Sequence, residues 1–280
     1  MRVSALHTYP IKGCRRVDHQ RATVEPWGLA GDRRWMIIDP DGAEVTQREV
    51  ARLALLRVLP VVGGLELSFP DSAPLLVEQP VPDPVTHSTL WNEPYPATAA
   101  GPAADALLSK ELGRDVRLVW MDDPATRRPI EPGYALPTDR VSYADGYPLL
   151  LANSASLDRL NDWIAESGSD EGPLPMARFR PNVVVDGPAA FAEDEWLGRR
   201  LRIGAVVFRA AKACGRCVVT TTDQETGVRG REPLRTLARH RSVDQKLLFG
   251  INLIPDTLGE IGVGDAVEVL GRFADPAGLS

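Results

Sequence analysis

The chain has 280 residues, 44% of them hydrophobic and 25% charged, which is material for a sizeable core and excludes a disordered polymer. Its net charge of -6 excludes a general nucleic-acid binder, which needs a basic face for phosphates, but leaves room for a small anion in one locally basic cleft. Three cysteines make no disulfide framework, so a reducing, cytoplasmic compartment is expected. No signal peptide or membrane span is expected either: 3–9 is short, and 53–67 is broken by Arg57, Pro60, Gly63 and Gly64.

Two domains are expected from the length. Residues 3–8, 21–24 and 34–39 carry strand-forming side chains, and Asp41-Gly42 signals a tight hairpin before Val45. Strand-like stretches at 65–69, 75–78 and 88–91 continue at barrel-like spacing. A helix is predicted over 102–112, with Pro102 in its first turn, Gly113 at its end, and Ala103, Ala106, Leu107 and Lys110 at helical spacing. Strand returns at 116–121. Residues 122–139, with Pro124, Pro129, Pro132 and Pro137 around Arg127-Arg128, form a long connection of the kind that often carries function. A second helix over 155–166 has Asn153 or Ser154 as its cap and Leu157, Leu160 and Ile164 on one face. Residues 182–185, 201–210 and 266–270 are strand-like, 234–239 is a short helix and 273–280 a loose tail. The fold class is mixed, β-rich α+β: a barrel-like N-terminal domain over 1–121, a connection over 122–139, and a second β-domain over 140–272 with few peripheral helices.

The stretch AKACGRCVVTTTDQETG, 211–227, is the most informative chemically. Cys214 and Cys217 form a C-x-x-C pair open to three readings. A thioredoxin-like pair opens a helix, and the β-branched Val218, Val219 and three threonines that follow are poor helix starters. A structural zinc site needs four ligands, and Cys14 and the four histidines make no second paired motif. Two buried cysteines packed as small apolar groups are the third. A reactive or metal-binding thiol needs positive charge nearby, and Arg216 is the candidate source. Basic residues also cluster beside turns, at Lys12-Gly13 with Arg15-Arg16, at Arg33-Arg34 after Gly28 and Gly31, and at Arg178 and Arg180. Such guanidinium groups at loop–strand junctions can grip phosphate through paired N–H donors.

The runs YPIKGC, GLAGDRRWMIID, DRVSYADGYPLLLANSASLDRLN, ARFRPNVVV, ACGRCVVTTTDQETG, REPLRTL and IGVGDAVEVL occur in this order over residues 1 to 271. In them the chain resembles the MOSC family, and within it the branch of the mitochondrial amidoxime-reducing component and its bacterial relatives. The resemblance implies a β-barrel N-terminal domain joined to a MOSC β-barrel domain, binding a molybdenum cofactor (molybdenum–molybdopterin). It implies that Cys217 ligates the metal, that Lys12, Gly13 and Arg33 contact the pterin from the N-terminal side, and that Gly146, Tyr147, Arg180, Gly215 and Arg216 contact it from the second half. Gly13 and Tyr147 stand where relatives carry serine, so contacts there would come from backbone or, at Tyr147, from a phenol.

The implied activity is reduction of a small N-hydroxylated or N-oxide-type substrate, with Cys217 as a catalytic residue. Asp145, in Tyr143-Ala144-Asp145-Gly146, is the candidate second catalytic residue, positioning substrate or relaying protons; the other reading is that it only shapes the turn before the helix. The alternative is a cofactor carrier or sulfur-transfer protein without turnover; a dithiol redox protein using Cys214 and Cys217 is a third. No cysteine follows Cys217, so electrons are expected from a separate ferredoxin, flavoprotein or cytochrome-type partner. The membrane-anchoring segment of mitochondrial relatives is not expected, nor is a nucleic-acid or membrane partner.

Overall fold

Strand pairing between distant parts of the chain dominates the architecture. The computed structural model describes residues 1–83, 86–131 and 133–273. Its largest sheet runs in the order Val267–Arg272, Arg199–Ile203, Val206–Gly215, Lys246–Pro255, Leu149–Asn153, Val183–Asp186, Arg2–Thr8, Val17–His19, with Ser242–Val243 paired onto Lys246–Pro255. Among the described residues of this sheet, the one parallel strand pair is Leu149–Asn153 with Val183–Asp186. A parallel pair needs a crossover, supplied here by the helix Ser154–Glu166, whose N-cap Asn153 accepts from the Ala155 N–H at 3.1 Å. An isolated bridge joins Arg2 to Ala266 and the Val3 N–H donates to the Asp265 carbonyl at 2.9 Å, so the sheet curls until its first strand meets its last. The ladders do not run on into continuous closed barrels, although the β-rich α+β class is as expected.

Three smaller sheets complete the fold. One holds Trp35–Ile38, Arg117–Trp120, Glu93–Ala99 and Thr86–Leu90, and another Arg57–Val61, Gly64–Ser68 and Leu75–Glu78. The helix Pro102–Leu112 packs Ala104 and Leu108 into a cluster with Ile37, Leu67 and Leu118. The third sheet pairs Arg21–Glu25 with Gly28–Leu29 and with Gly259–Gly262, tying the start of the chain to its end. Among the described residues no helix is long and apolar enough to cross a membrane.

The stretch 201–210, expected as one strand, is a hairpin: Arg199–Ile203 and Val206–Gly215 pair across a turn at Gly204, whose φ is +56°. Two strands without a sequence expectation, Leu149–Asn153 and Lys246–Pro255, lie side by side in the main sheet. All five residues of the first are buried, as are Phe249, Ile251, Leu253 and Ile254 of the second. A strand covered on both faces loses the alternation by which a strand is recognised. The connection 122–139 is anchored: Pro124–Arg127 forms a short helix, and the buried Arg128 guanidinium bonds three backbone carbonyls of 142–145. Of the expected tail, 274–280 lies outside the described residues, and the Phe273 N–H donates to the Gly198 carbonyl at 3.2 Å.

Ile251, fully buried in the main core, contrasts with Leu76, 61% exposed on its strand. Ile251→Ala is expected to cost ~2–5 kcal/mol of stability and Leu76→Ala within ~0.5 kcal/mol. Urea unfolding midpoints at unchanged m-value measure both.

Candidate functional site

Cys217 stands where the strand Val206–Gly215 runs out. Pairing with Lys246–Pro255 slips between Ala210 and Lys212 and again between Ala213 and Gly215, so the strand end leaves the regular ladder. The Arg216 N–H still reaches the Leu247 carbonyl at 2.7 Å, and beyond Cys217 the chain tightens into a single 3-10 turn, Val218–Thr221. The Thr220 hydroxyl donates to the Cys217 carbonyl at 2.9 Å and fixes that turn. The cysteine pair therefore lies at a strand end, not at the head of an α-helix as a thioredoxin-like site requires.

Arg216, the expected source of positive charge for Cys217, turns the other way: Nη1 lies 2.9 Å from the Cys214 Sγ and Nη2 donates to the Phe179 carbonyl at 2.6 Å. Arg48 takes that place. Burial works against its charge, but the Cys217 thiol and the Asp145 carboxylate beside it raise its pKa. The sequence did not single it out; the only signal was the polar run Thr46-Gln47-Arg48-Glu49 after the hairpin.

Arg180 closes the 3-10 turn Met176–Phe179 in the left-handed region, at φ 55°. Its Nη1 donates to the Cys14 carbonyl at 2.7 Å, and its guanidinium lies 4.1 Å from the centroid of the Tyr9 ring. Arg33, also left-handed at φ 48°, lies 4.5 Å from the same ring and bonds Asp32 at 2.6 Å. Non-glycine residues rarely adopt this conformation, and where they do the surroundings hold them. Burial, then the nearness of Arg33, pushes the Arg180 pKa down. Burial pushes the Tyr9 phenol up to about 12, so it stays protonated, its hydroxyl donating to the Pro181 carbonyl at 3.1 Å.

Lys12 enters from the N-terminal turn, where Gly13 at φ +77° makes a bend that a side chain would strain. The Lys12 ammonium donates to the Tyr143 carbonyl at 3.0 Å and pairs with Asp145. The Asp145 side chain is 67% exposed yet crowded by protein atoms. That crowding penalises its charge, and Lys12, Arg33 and Arg48 more than offset the penalty, holding its pKa well below the usual carboxylate range. A proton relay works best with a pKa near the operating pH, so this geometry suits a positioning role.

One cavity gathers all ten residues singled out in the sequence: Lys12, Gly13, Arg33, Asp145, Gly146, Tyr147, Arg180, Gly215, Arg216 and Cys217. Thr46, Gln47, Arg48, Phe179, Asn182 and Asn252 also line it and were not foreseen. Five lining side chains are cationic, Lys12, Arg33, Arg48, Arg180 and Arg216, against one carboxylate, Asp145. Among the described residues Arg180 Nη2, Arg216 Nε and the Tyr147 hydroxyl are buried without a hydrogen-bond partner. A multiply charged anion with several acceptor oxygens fits such a donor set. No group of three His, Cys, Asp or Glu side chains is placed to hold a metal ion among the described residues, so a metal at Cys217 has to bring further ligands with it.

The chain matches the MOSC domain over residues 138–268 and the MOSC N-terminal beta barrel domain over residues 1–115. It is a member of the MOSC family. This MOSC protein is 33% identical to mitochondrial amidoxime-reducing component 1 of Homo sapiens over 96% of its own length and 83% of that protein's. It is likewise 33% identical to human mitochondrial amidoxime reducing component 2, over 95% and 82%. A molybdenum cofactor sulfurase of Oryza sativa subsp. japonica is 27% identical over 95% of the chain and 33% of the larger protein.

A carboxylate with a lowered pKa stabilises the fold above its ordinary range, near pH 4, and loses that contribution as the pH falls through its folded-state value. Asp145→Asn is therefore expected to destabilise the cofactor-free protein at pH 7 by roughly 1 kcal/mol at most, given its solvent contact. The difference should begin to shrink below about pH 4 and close only as the pH falls through the lower folded-state value, as measured by urea unfolding across that range.

Proposed function

We propose that the cavity holds a molybdenum–pterin cofactor and that this MOSC protein reduces N-hydroxylated or N-oxide-type compounds with electrons from a separate donor protein. The observation that carries the reading is the cavity itself, where the Cys217 thiol, with Cys214 beside it, is surrounded by cations from both halves of the chain. The relatives support it: the human proteins are named for amidoxime reduction and the rice protein for the molybdenum cofactor.

When bound, the cofactor supplies two-electron chemistry at its metal, for which a protein thiolate is a natural soft ligand. Cys217 is the residue that would hold the metal, and Arg48 sets a positive charge beside its sulfur. Arg33, Arg180 and Arg216 would bind the anionic end, using the Nη2 and Nε donors that are otherwise unpaired. Lys12 contributes charge from the facing turn, oriented by the Tyr143 carbonyl and by Asp145. Gly146, where a side chain would meet no neighbouring atom, lets a group approach the backbone, and Gly215 lines the same cavity. Asp145, ionised near neutrality, orients the cations around it and leaves proton delivery to solvent. Cys214, held by Arg216, is a neighbour of the ligand and not a ligand.

The rice relative supports a second reading, a cofactor carrier or sulfur-transfer protein without turnover. One preparation separates the two. From a host able to make the cofactor, wild type and Cys214→Ser are expected to retain near-stoichiometric molybdenum and reduce amidoximes with an artificial electron donor. Cys217→Ser is expected to lose turnover and to change its metal coordination spectrum. Bound cofactor without reduction by any donor selects the carrier; wild type without molybdenum or pterin, despite a verified supply, overturns both.

A further inference from the structure

Of the six tryptophans, Trp91 alone is exposed, by 52%, and it stands at the tip of the hairpin between Thr86–Leu90 and Glu93–Ala99. Trp91 and Asn92 both take positive φ, 55° and 66°. A left-handed turn of this type suits Asn or Gly and is costly for a bulky side chain. A large apolar ring placed in solvent at such a cost, at a position that two contacts tie to the site, calls for a functional account.

Those contacts are specific. The indole N–H donates to the Asp145 carbonyl at 3.0 Å, and the Arg48 guanidinium lies 4.9 Å from the ring centroid. Arg48 in turn lines the same cavity as Cys217. The indole is thus fixed by its edge and by one cation at the rim of the cavity, while half its surface stays open. Its orientation is set before any ligand arrives, so stacking on it costs little ordering entropy. A flat aromatic group gains there from burial and ring stacking, a methyl group much less.

We propose that Trp91 is a specificity-determining residue that selects substrates carrying an aromatic ring next to the nitrogen–oxygen group. The inference rests on the proposed reductase reading and deepens it by naming the substrate class. Asp145 and Arg48 bring the ring to the reacting end of the cavity, so one molecule can stack on the indole while its N-hydroxylated group reaches the region of Cys217.

The test uses the cofactor-loaded protein and two amidoximes that differ only in this respect, benzamidoxime and acetamidoxime. Binding is measured by calorimetry and reduction with an artificial donor for wild type, Trp91→Ala and Trp91→Phe, with molybdenum content as the check on loading. Wild type is expected to prefer the phenyl compound, chiefly through KM. Trp91→Ala is expected to lower that preference about tenfold, and Trp91→Phe to keep most of it. A role confined to holding Arg48 would weaken both amidoximes alike and leave the preference unchanged, and that result overturns the inference alone. Molybdenum-loaded wild type that binds neither amidoxime overturns it together with the substrate part of the proposed function.

Discussion

Five cationic side chains facing one cavity repel one another, and everything else about the site follows from how that repulsion is borne. Most of them are held by backbone carbonyls: Arg180 by Cys14, Arg216 by Phe179, Lys12 by Tyr143. Carbonyl oxygens satisfy N–H donors without cancelling charge, so the cavity keeps a positive potential inside a protein of net charge -6. The aromatic face of Tyr9 does similar work for Arg33 and Arg180. Only Asp145 among the lining residues offers a full negative charge, and the cations hold it ionised.

Such a cluster needs stiff walls. The strand Arg2–Thr8, just ahead of Lys12, is paired with Val183–Asp186, just after Arg180. The sheet strand Arg21–Glu25 is paired with Gly259–Gly262. The Asp145 loop is clamped from outside by Arg128, which belongs to the connection between the halves. Arg128 is the buried strut at this point, holding the backbone that carries Asp145.

Local structure was legible wherever local chemistry decides it. Pro102 and Gly113 bound the first helix, Asn153 caps the second, and the Asp41-Gly42 turn returns the chain with Gly42 at φ +87°. Partners of strands were not legible, because pairing of Arg2–Thr8 with Val183–Asp186 depends on which buried faces meet, which no local pattern encodes. Leu149–Asn153 and Lys246–Pro255 escaped for the related reason that burial on both faces erases their period. The positions singled out at the site do come together in space, since motif runs marked them. Their side-chain directions did not follow: Arg216 was adjacent to Cys217 in the chain, yet its guanidinium bonds Cys214, and Arg48, from a stretch without any signature, lines the cavity with the Cys217 thiol.

The braid of chain ends also sets an order of events during synthesis. Lys12 and Gly13 leave the ribosome early, but the wall that carries Arg216 and Cys217 needs Lys246–Pro255 as its sheet partner, and the Arg21–Glu25 edge waits for Gly259–Gly262. Contacts of such long sequence separation form late and slowly. The cavity therefore has no precursor on a nascent chain, and whatever anion fills it must be delivered to a finished protein. Asp145 and Asp32 offset only part of the repulsion among the cations, and an anion that binds only the native state would stabilise the fold it enters.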